Sequence, residues 1–201
     1  HISNSKDLHI VHNGIIENYF SIKQELIEEG FHFYSDTDTE VLVNLIEYIQ
    51  IKEKVKLGEA VQMALQQVVG AYSIAVIDIK KPDEIVVARL GSPLCIGIGN
   101  NEHFIGSDVT PFLDHTKDVV YLEDGEMAII RNHKRTQYRK IDDDSFTNPT
   151  VEKLEIDLAK IQKQGFEHFM LKEIFEQPSA VIDTLRGRLK LKKGIIKMSG
   201  V

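Results

Sequence analysis

The chain has 201 residues, 42% of them hydrophobic and 27% charged, with a formal net charge of −7. This negative charge repels phosphate backbones and anionic lipids, so the composition argues against nucleic acid or a membrane surface as a partner. No apolar run approaches the ~20 residues that cross a bilayer, and no segment resembles a signal peptide. The single cysteine, Cys95, excludes an internal disulfide and favours a reducing, cytoplasmic setting.

The N-terminal segment predicts a strand over residues 8–12, which are rich in Val and Ile. Asn13 and Gly14 follow, and because both tolerate positive φ the pair predicts a tight turn after that strand. The pair has a second interpretation, since a side-chain amide beside a glycine N–H offers two neutral donors, as in an oxyanion hole. The chain starts at His1 and reaches a strand within a few residues, so we expect it to be a piece of a longer protein.

Helical periodicity dominates the next part of the chain. Apolar spacing predicts helices over 16–29, from Thr37 to about Ile51, and over 59–69, the first and third ended by Gly30 and Gly70. Thr37 and Glu40 have the spacing of a capping box. A short aromatic strand is predicted for 31–34.

The middle of the chain predicts a meander of about six short strands. The ranges are 71–79, 84–90, 94–99, 103–106, 118–122 and 126–131, with a hairpin at Glu123-Asp124-Gly125. Helices followed by strands favour an α+β fold. A polar loop is expected over 132–150. Helical spacing then follows at 151–160, at 164–177 up to an interruption at Pro178, and at 179–189.

Chemistry-bearing motifs are few. Cys95 lies between Leu94 and Ile96 and is expected to be a core thiol rather than a nucleophile. The eight histidines show no metal-ligand spacing, and no phosphate-binding or dinucleotide motif is present, so we expect no metal and no cofactor. Asp38 is either a first-turn helix acid or a carboxylate that binds an α-ammonium group, and the residues alone leave both interpretations open.

Longer motifs carry a family resemblance. The segments 11–19 (VHNGIIENY) and 35–41 (SDTDTEV) resemble the glutaminase domain of class II glutamine amidotransferases. Gly70-Ala71-Tyr72, Gly91-Ser92-Pro93-Leu94, Ile105-Gly106-Ser107-Asp108 and Leu122-Glu123-Asp124-Gly125-Glu126 recur in similar order in the branch whose ammonia acceptor is fructose 6-phosphate. The segment 168–178 (HFMLKEIFEQP) resembles that branch's linker to a sugar-isomerase domain.

This resemblance implies an N-terminal-nucleophile hydrolase-type αββα sandwich with antiparallel sheets, truncated at its N-terminus. It implies a glutaminase domain over 1–150 and a helical linker over 151–201. It also implies glutamine and fructose 6-phosphate as substrates, and a homodimer in the full-length enzyme. By resemblance, Asn13 and Gly14 form the oxyanion hole, Gly14 also contacts substrate, and Asp38 binds the amino group of glutamine.

The resemblance also implies a nucleophilic N-terminal cysteine that this chain does not contain. We therefore expect the isolated chain to have no glutaminase activity. Two alternatives remain open at this stage: another class II amidotransferase, or a catalytically inactive glutamine-binding module. We also expect an unpaired sheet edge, and with it oligomerisation or aggregation.

Overall fold

A computed structural model describes residues 1–131, 134–154, 165–185, 189–190 and 195–196. The chain divides into two units, His1–Leu154 and Glu155–Val201.

Three α-helices occupy the N-terminal half of the first unit: α1 is Tyr19–Glu28, α2 is Asp38–Glu53 and α3 is Leu57–Leu65. Half of the predicted capping box forms: Thr37 Oγ1 accepts a hydrogen bond from the Glu40 N–H at 3.3 Å. The other half is wrong, because the Thr37 N–H donates to Ser35 Oγ and not to the Glu40 carboxylate. The third helix ends earlier than predicted, since Gly70 already pairs with Ile16 in a sheet. The aromatic strand predicted at 31–34 is wrong: this segment has no strand pairing, and the Tyr34 N–H instead donates to Glu40 at 2.8 Å.

The strands of the first unit form two antiparallel sheets. One has the order β1-β2-β3-β7-β8-β9 and the other the order β10-β6-β4-β5. The strands are β1 Leu8–Ile16, β2 Gly70–Asp78, β3 Glu84–Leu90, β4 Cys95–Ile98, β5 His103–Gly106, β6 Asp118–Tyr121, β7 Glu126–Arg131, β8 Gln137–Lys140, β9 Phe146–Thr147 and β10 Glu152–Lys153.

Three clusters of buried side chains define the layers. The largest lies between the helices and one face of the six-stranded sheet and includes Ile16, Ile46 and Val76. The second lies between the two sheets and includes Val87 and Ile96. The third joins the 3₁₀-helix Thr110–Phe112 to the other face of the four-stranded sheet. The predicted α+β sandwich with antiparallel sheets is confirmed.

The turn at Glu123–Gly125 joins the two sheets, so the hairpin predicted there is wrong. β6 lies in the four-stranded sheet and β7 in the six-stranded one, and Val120 and Ala128 both belong to the core between the sheets. Asp124 fixes this corner by accepting hydrogen bonds from Arg89 at 2.9 Å and from the Gly91 N–H at 2.8 Å.

The polar stretch predicted as a loop over 132–150 contains β8 and β9, so that prediction is wrong for those residues. β8 pairs with β7 and places Tyr138 opposite Ala128. Polar residues are tolerated here because these strands lie at the outer end of the sheet, where no β8 residue is fully buried. Residues 132 and 133 lie outside the described part of the chain.

The second unit contains α4, Phe169–Leu185, and a pair of two-residue strands, β11 Leu189–Lys190 and β12 Ile195–Ile196. The predicted interruption at Pro178 is wrong, since α4 continues through it despite the missing N–H. Residues 155–164 lie outside the described part of the chain, and they include most of the helical spacing predicted at 151–160 and the start of that at 164–177. The helix expected over 179–189 is observed as far as Leu185. Residues 186–188 also lie outside the described part of the chain. At 151–154 a short strand replaces the expected helix.

β1 is an edge strand with exposed apolar side chains, and we expect it to drive self-association. Val11 is 69% exposed and Ile15 67%, beside an edge that can pair with a second chain. Val11→Lys should raise the monomer fraction, which light scattering over a concentration series measures. Ile51→Lys, at a residue 64% exposed on α2, is the control. A wild-type chain that stays monomeric at high concentration would contradict the expectation.

Candidate functional site

The edge of β1 that does not pair with β2 carries backbone N–H groups that point away from the sheet. The Ile10 N–H donates outward to the His1 carbonyl at 2.9 Å, and the Ile16 N–H donates outward to Asp38 Oδ2 at 2.8 Å. Alternate residues of a strand direct their N–H groups to the same side. The N–H of Gly14, which lies between them in the same register, therefore points to the open edge as well.

Gly14 lies inside β1, so the tight turn predicted at Asn13-Gly14 is wrong. The strand continues to Ile16, with Gly14 paired to Tyr72. Glycine is required because φ is +145° and because a Cβ at this position would lie 2.1 Å from the carbonyl oxygen of Ala71. The positive φ that suggested a turn is thus used within a strand, where two backbones approach closely.

Asp38 stands beside this edge as the first residue of α2. One carboxylate oxygen accepts the Ile16 N–H at 2.8 Å, and the other lies 3.4 Å from Thr39 Oγ1. The side chain is half-buried, so it can still contact a ligand. Of the two interpretations that the sequence left open, the first-turn position is correct, and it also leaves Asp38 at the strand edge.

Asn13 is exposed on the side of β1 that faces the second sheet. It contributes to a cavity of about 180 Å³ whose other lining residues include Val11, Ser73 and Ile105. Gly14, the next residue of β1, is not among the residues that line this cavity. Both uncharged donors of the predicted oxyanion hole come from one strand.

His12 is a site neighbour that sequence reasoning did not single out. Its Nδ1 lies 2.9 Å from Thr39 Oγ1, and its buried Nε2 has no hydrogen-bond partner among the described residues. Burial lowers the pKa of His12, although the nearby Asp38 opposes this shift. The ring is thus held neutral at neutral pH between β1 and α2. Its position two residues before Gly14 was the only available signal.

Glu40 fastens the loop that precedes α2. Its carboxylate accepts hydrogen bonds from the N–H groups of Tyr34 at 2.8 Å and Ser35 at 2.7 Å. Burial works to raise the pKa of Glu40, but these bonds and that from the Ser35 hydroxyl outweigh it, so the pKa is lowered. The carboxylate therefore stays charged and holds the start of α2, and with it Asp38, in place.

Cys95 is the one thiol of the chain and lies in the core. It is 1% exposed and its Sγ donates to the Gly106 carbonyl at 3.2 Å. Burial raises its pKa to about 11, and Asp108 adds to the shift. At neutral pH the thiol is protonated and inaccessible, which agrees with the structural role predicted for it.

The described part of the chain offers neither a metal site nor a membrane-spanning helix. No group of three or more His, Cys, Asp or Glu side chains in the described ranges could hold a metal ion. Within those ranges no helix is long and apolar enough to cross a membrane.

Comparison with solved structures identifies the class of fold. The glutamine phosphoribosylpyrophosphate amidotransferase of B. subtilis superposes with a TM-score of 0.59 at 27% identity, covering 68% of this chain and 29% of that one. A second structure, titled as the allosteric regulatory enzyme of purine biosynthesis, gives 0.57 at 28% identity. The architecture is that of the N-terminal-nucleophile amidotransferases.

Sequence comparison gives the family. The profile described as "Glutamine amidotransferase domain" matches residues 1–114, and the chain belongs to this family. Similar proteins named "Glutamine--fructose-6-phosphate aminotransferase [isomerizing]" come from Bacteroides thetaiotaomicron, with 48% identity over all of this chain, and from Chlorobaculum tepidum, with 49%. The chain spans about a third, 33%, of the length of each of these relatives.

Proposed function

We propose that this chain supplies the oxyanion hole and the ammonium-binding carboxylate of a glutamine site. The enzyme would be a glutamine–fructose-6-phosphate aminotransferase. The site donors in this proposal are Asn13 and Gly14, and the carboxylate is Asp38. Support comes from the family match and from relatives with that name that are 40–49% identical over at least 92% of the chain.

One observation carries the proposal: the Gly14 N–H and the Asp38 carboxylate lie along the same edge of β1, the edge that does not pair with β2. The Asp38 carboxylate accepts the Ile16 N–H. The Gly14 N–H lies two residues earlier in the strand, about 7 Å from the Ile16 N–H. That spacing is of the order of the distance between the side-chain amide and the α-ammonium group of an extended glutamine. This spacing supports a glutamine bound with its amide at Gly14 and its ammonium group at Asp38.

In this function a nucleophile attacks the amide carbon of glutamine, and negative charge develops on the amide oxygen. The Gly14 N–H and the Asn13 side-chain amide donate hydrogen bonds to that oxygen, while Asp38 holds the ammonium group. The C–N bond then breaks, ammonia leaves, and water releases glutamate from the acyl intermediate. Cys95 is buried, so the attacking thiol has to come from outside these 201 residues.

The substitution Asp38→Asn tests the ammonium site in a full-length enzyme that carries this sequence. The amide keeps an acceptor for the Ile16 N–H but removes the charge, so KM for glutamine should rise about 10- to 100-fold, with a smaller effect on kcat. Steady-state glutamate release measures both constants. Asp36→Asn, two residues earlier and fully exposed, is the matched control. An unchanged KM in Asp38→Asn would exclude this role.

The 201-residue chain alone is expected to release no glutamate from glutamine. Its single thiol has a pKa raised by burial to about 11, so the reactive thiolate is nearly absent below pH 9. A coupled glutamate assay against a no-protein blank checks this. Labelling with a disulfide reagent should be slow in the native chain and fast in urea. Turnover above the blank would contradict the assignment.

Other features of the parent enzyme belong to the same proposal. We infer fructose 6-phosphate as ammonia acceptor, a homodimeric full-length enzyme, a cytoplasmic location, and a glutaminase domain over 1–150 followed by a linker over 151–201. The two alternatives, another class II amidotransferase and an inactive glutamine-binding module, predict different assay results. Another class II amidotransferase would release glutamate but form no glucosamine 6-phosphate, and an inactive module would bind glutamine without releasing glutamate.

A further inference from the structure

A basic stretch in the middle of the chain plays no part in the proposed glutamine site. Residues 131–140 (RNHKRTQYRK) contain five Arg or Lys and no acidic residue, in a chain with a net charge of −7. Its described part follows β7 and forms β8. This stretch is therefore locally basic within a chain that is acidic overall.

Part of this stretch lines a cavity of about 460 Å³ beside the start of α3. Arg131 and Arg139 come from β7 and β8, Lys134 from the segment between them, Lys56 from the residue before α3, and Lys81 from the turn between β2 and β3. Five cationic side chains from three separate stretches of the sequence, at 56, 81 and 131–139, thus line one cavity.

Two carboxylates, Glu59 and Glu84, share this cavity, so its lining carries a surplus of three positive charges. Arg131 Nε bonds to Glu84 at 2.5 Å, and Arg131 also donates to Gln137 at 3.1 Å. Arg139 pairs with Asp144 at 2.9 Å. The two guanidinium groups are therefore anchored.

The three lysines differ from the arginines. Within the described residues no carboxylate lies within 4 Å of the ammonium groups of Lys56, Lys81 or Lys134, and all three side chains are exposed. Each is free to turn toward a ligand. Three such ammonium groups match a ligand with several negative charges better than a single anion.

We propose that this cavity binds a small polyanion that carries two or more phosphoryl groups. Its volume suits a small molecule rather than a macromolecule. Asn13, Gly14 and Asp38 do not line this cavity, so it is separate from the proposed glutamine site. Failure of either proposal leaves the other intact.

Titration calorimetry with inorganic pyrophosphate on the 201-residue chain tests the proposal, with inorganic phosphate at matched ionic strength for comparison. Pyrophosphate should bind at least about tenfold more tightly than phosphate, because it engages more than one lysine. The double variant Lys81→Gln/Lys134→Gln should weaken pyrophosphate binding on the order of tenfold. Both lysines are exposed, so the fold should be unaffected.

A charge change of opposite sign completes the test. Glu59→Gln removes one negative charge but keeps the acceptor for the Lys56 N–H, so it should tighten pyrophosphate binding about two- to threefold. Lys117→Gln/Lys153→Gln, at two exposed lysines outside the cavity, should leave it unchanged. Absence of binding at millimolar pyrophosphate, or equal weakening by both double variants, would overturn the proposal.

Discussion

Replacing Asn13 by alanine is expected to lower the kcat of glutamate release about 100- to 1000-fold in a full-length enzyme that carries this sequence. Asn13 is exposed and directly precedes Gly14 in β1, and in the proposed function its side-chain amide donates to the amide oxygen of glutamine as that oxygen acquires charge. A donor that acts on developing charge contributes mainly in the transition state, so KM should change little. Steady-state glutamate release gives both constants.

Asn18→Ala provides the matched control. Asn18 donates to the Gln67 carbonyl at 2.9 Å and accepts from the Val69 N–H at 2.9 Å, so it has a structural role close to the same strand. Its loss should lower the melting temperature and leave kcat nearly unchanged. The reverse pattern, with Asn13→Ala affecting stability but not kcat, would mean that Asn13 is no oxyanion donor.

Gly14→Ala is expected to destabilise the chain itself by about 3 kcal/mol, combining backbone strain with a steric clash. The added Cβ would lie 2.1 Å from the Ala71 carbonyl oxygen, and β1 and β2 cannot separate there without breaking their pairing. Urea unfolding of the 201-residue chain measures the free energy, and in a full-length enzyme the same variant should lose glutaminase activity.

The control for this substitution is Gly30→Ala. Gly30 also has a positive φ, +90°, but nothing lies within 4 Å of a Cβ placed there. Gly30→Ala should lower the free energy of unfolding by about 1 kcal/mol, because it adds backbone strain but no steric clash. Equal effects of the two variants would show that the close approach to Ala71 has no energetic consequence.

Local chemistry predicted some elements well. Thr37 caps α2 as its spacing with Glu40 indicates, because a cap depends on residues three positions apart. Strands such as 84–90, 103–106 and 126–131 match the predicted bounds, since their alternation and turns are local. The choice of Asn13, Gly14 and Asp38 came from the family resemblance, while periodicity alone left Asp38 ambiguous.

Features that depend on distant partners were mispredicted. Asn13-Gly14 has the chemistry of a turn, and only the pairing of β1 with β2 shows why the strand continues through it. The segment Glu123–Gly125 has the chemistry of a hairpin, but burial on both sides of the inter-sheet core directs its strands into different sheets. The basic cavity was missed because Lys56 and Lys81 lie far in sequence from residues 131–140.

The pairing of β1 with β2 also constrains how the protein folds. These strands are neighbours in the sheet, yet all of α1, α2 and α3 lie in the chain between them. Closing so long a loop costs entropy before the pairing is gained, which slows folding. Gly14 and Asp38 reach their positions only once that loop has closed. The proposed glutamine site should therefore form late in folding, together with the sheet edge and not ahead of it.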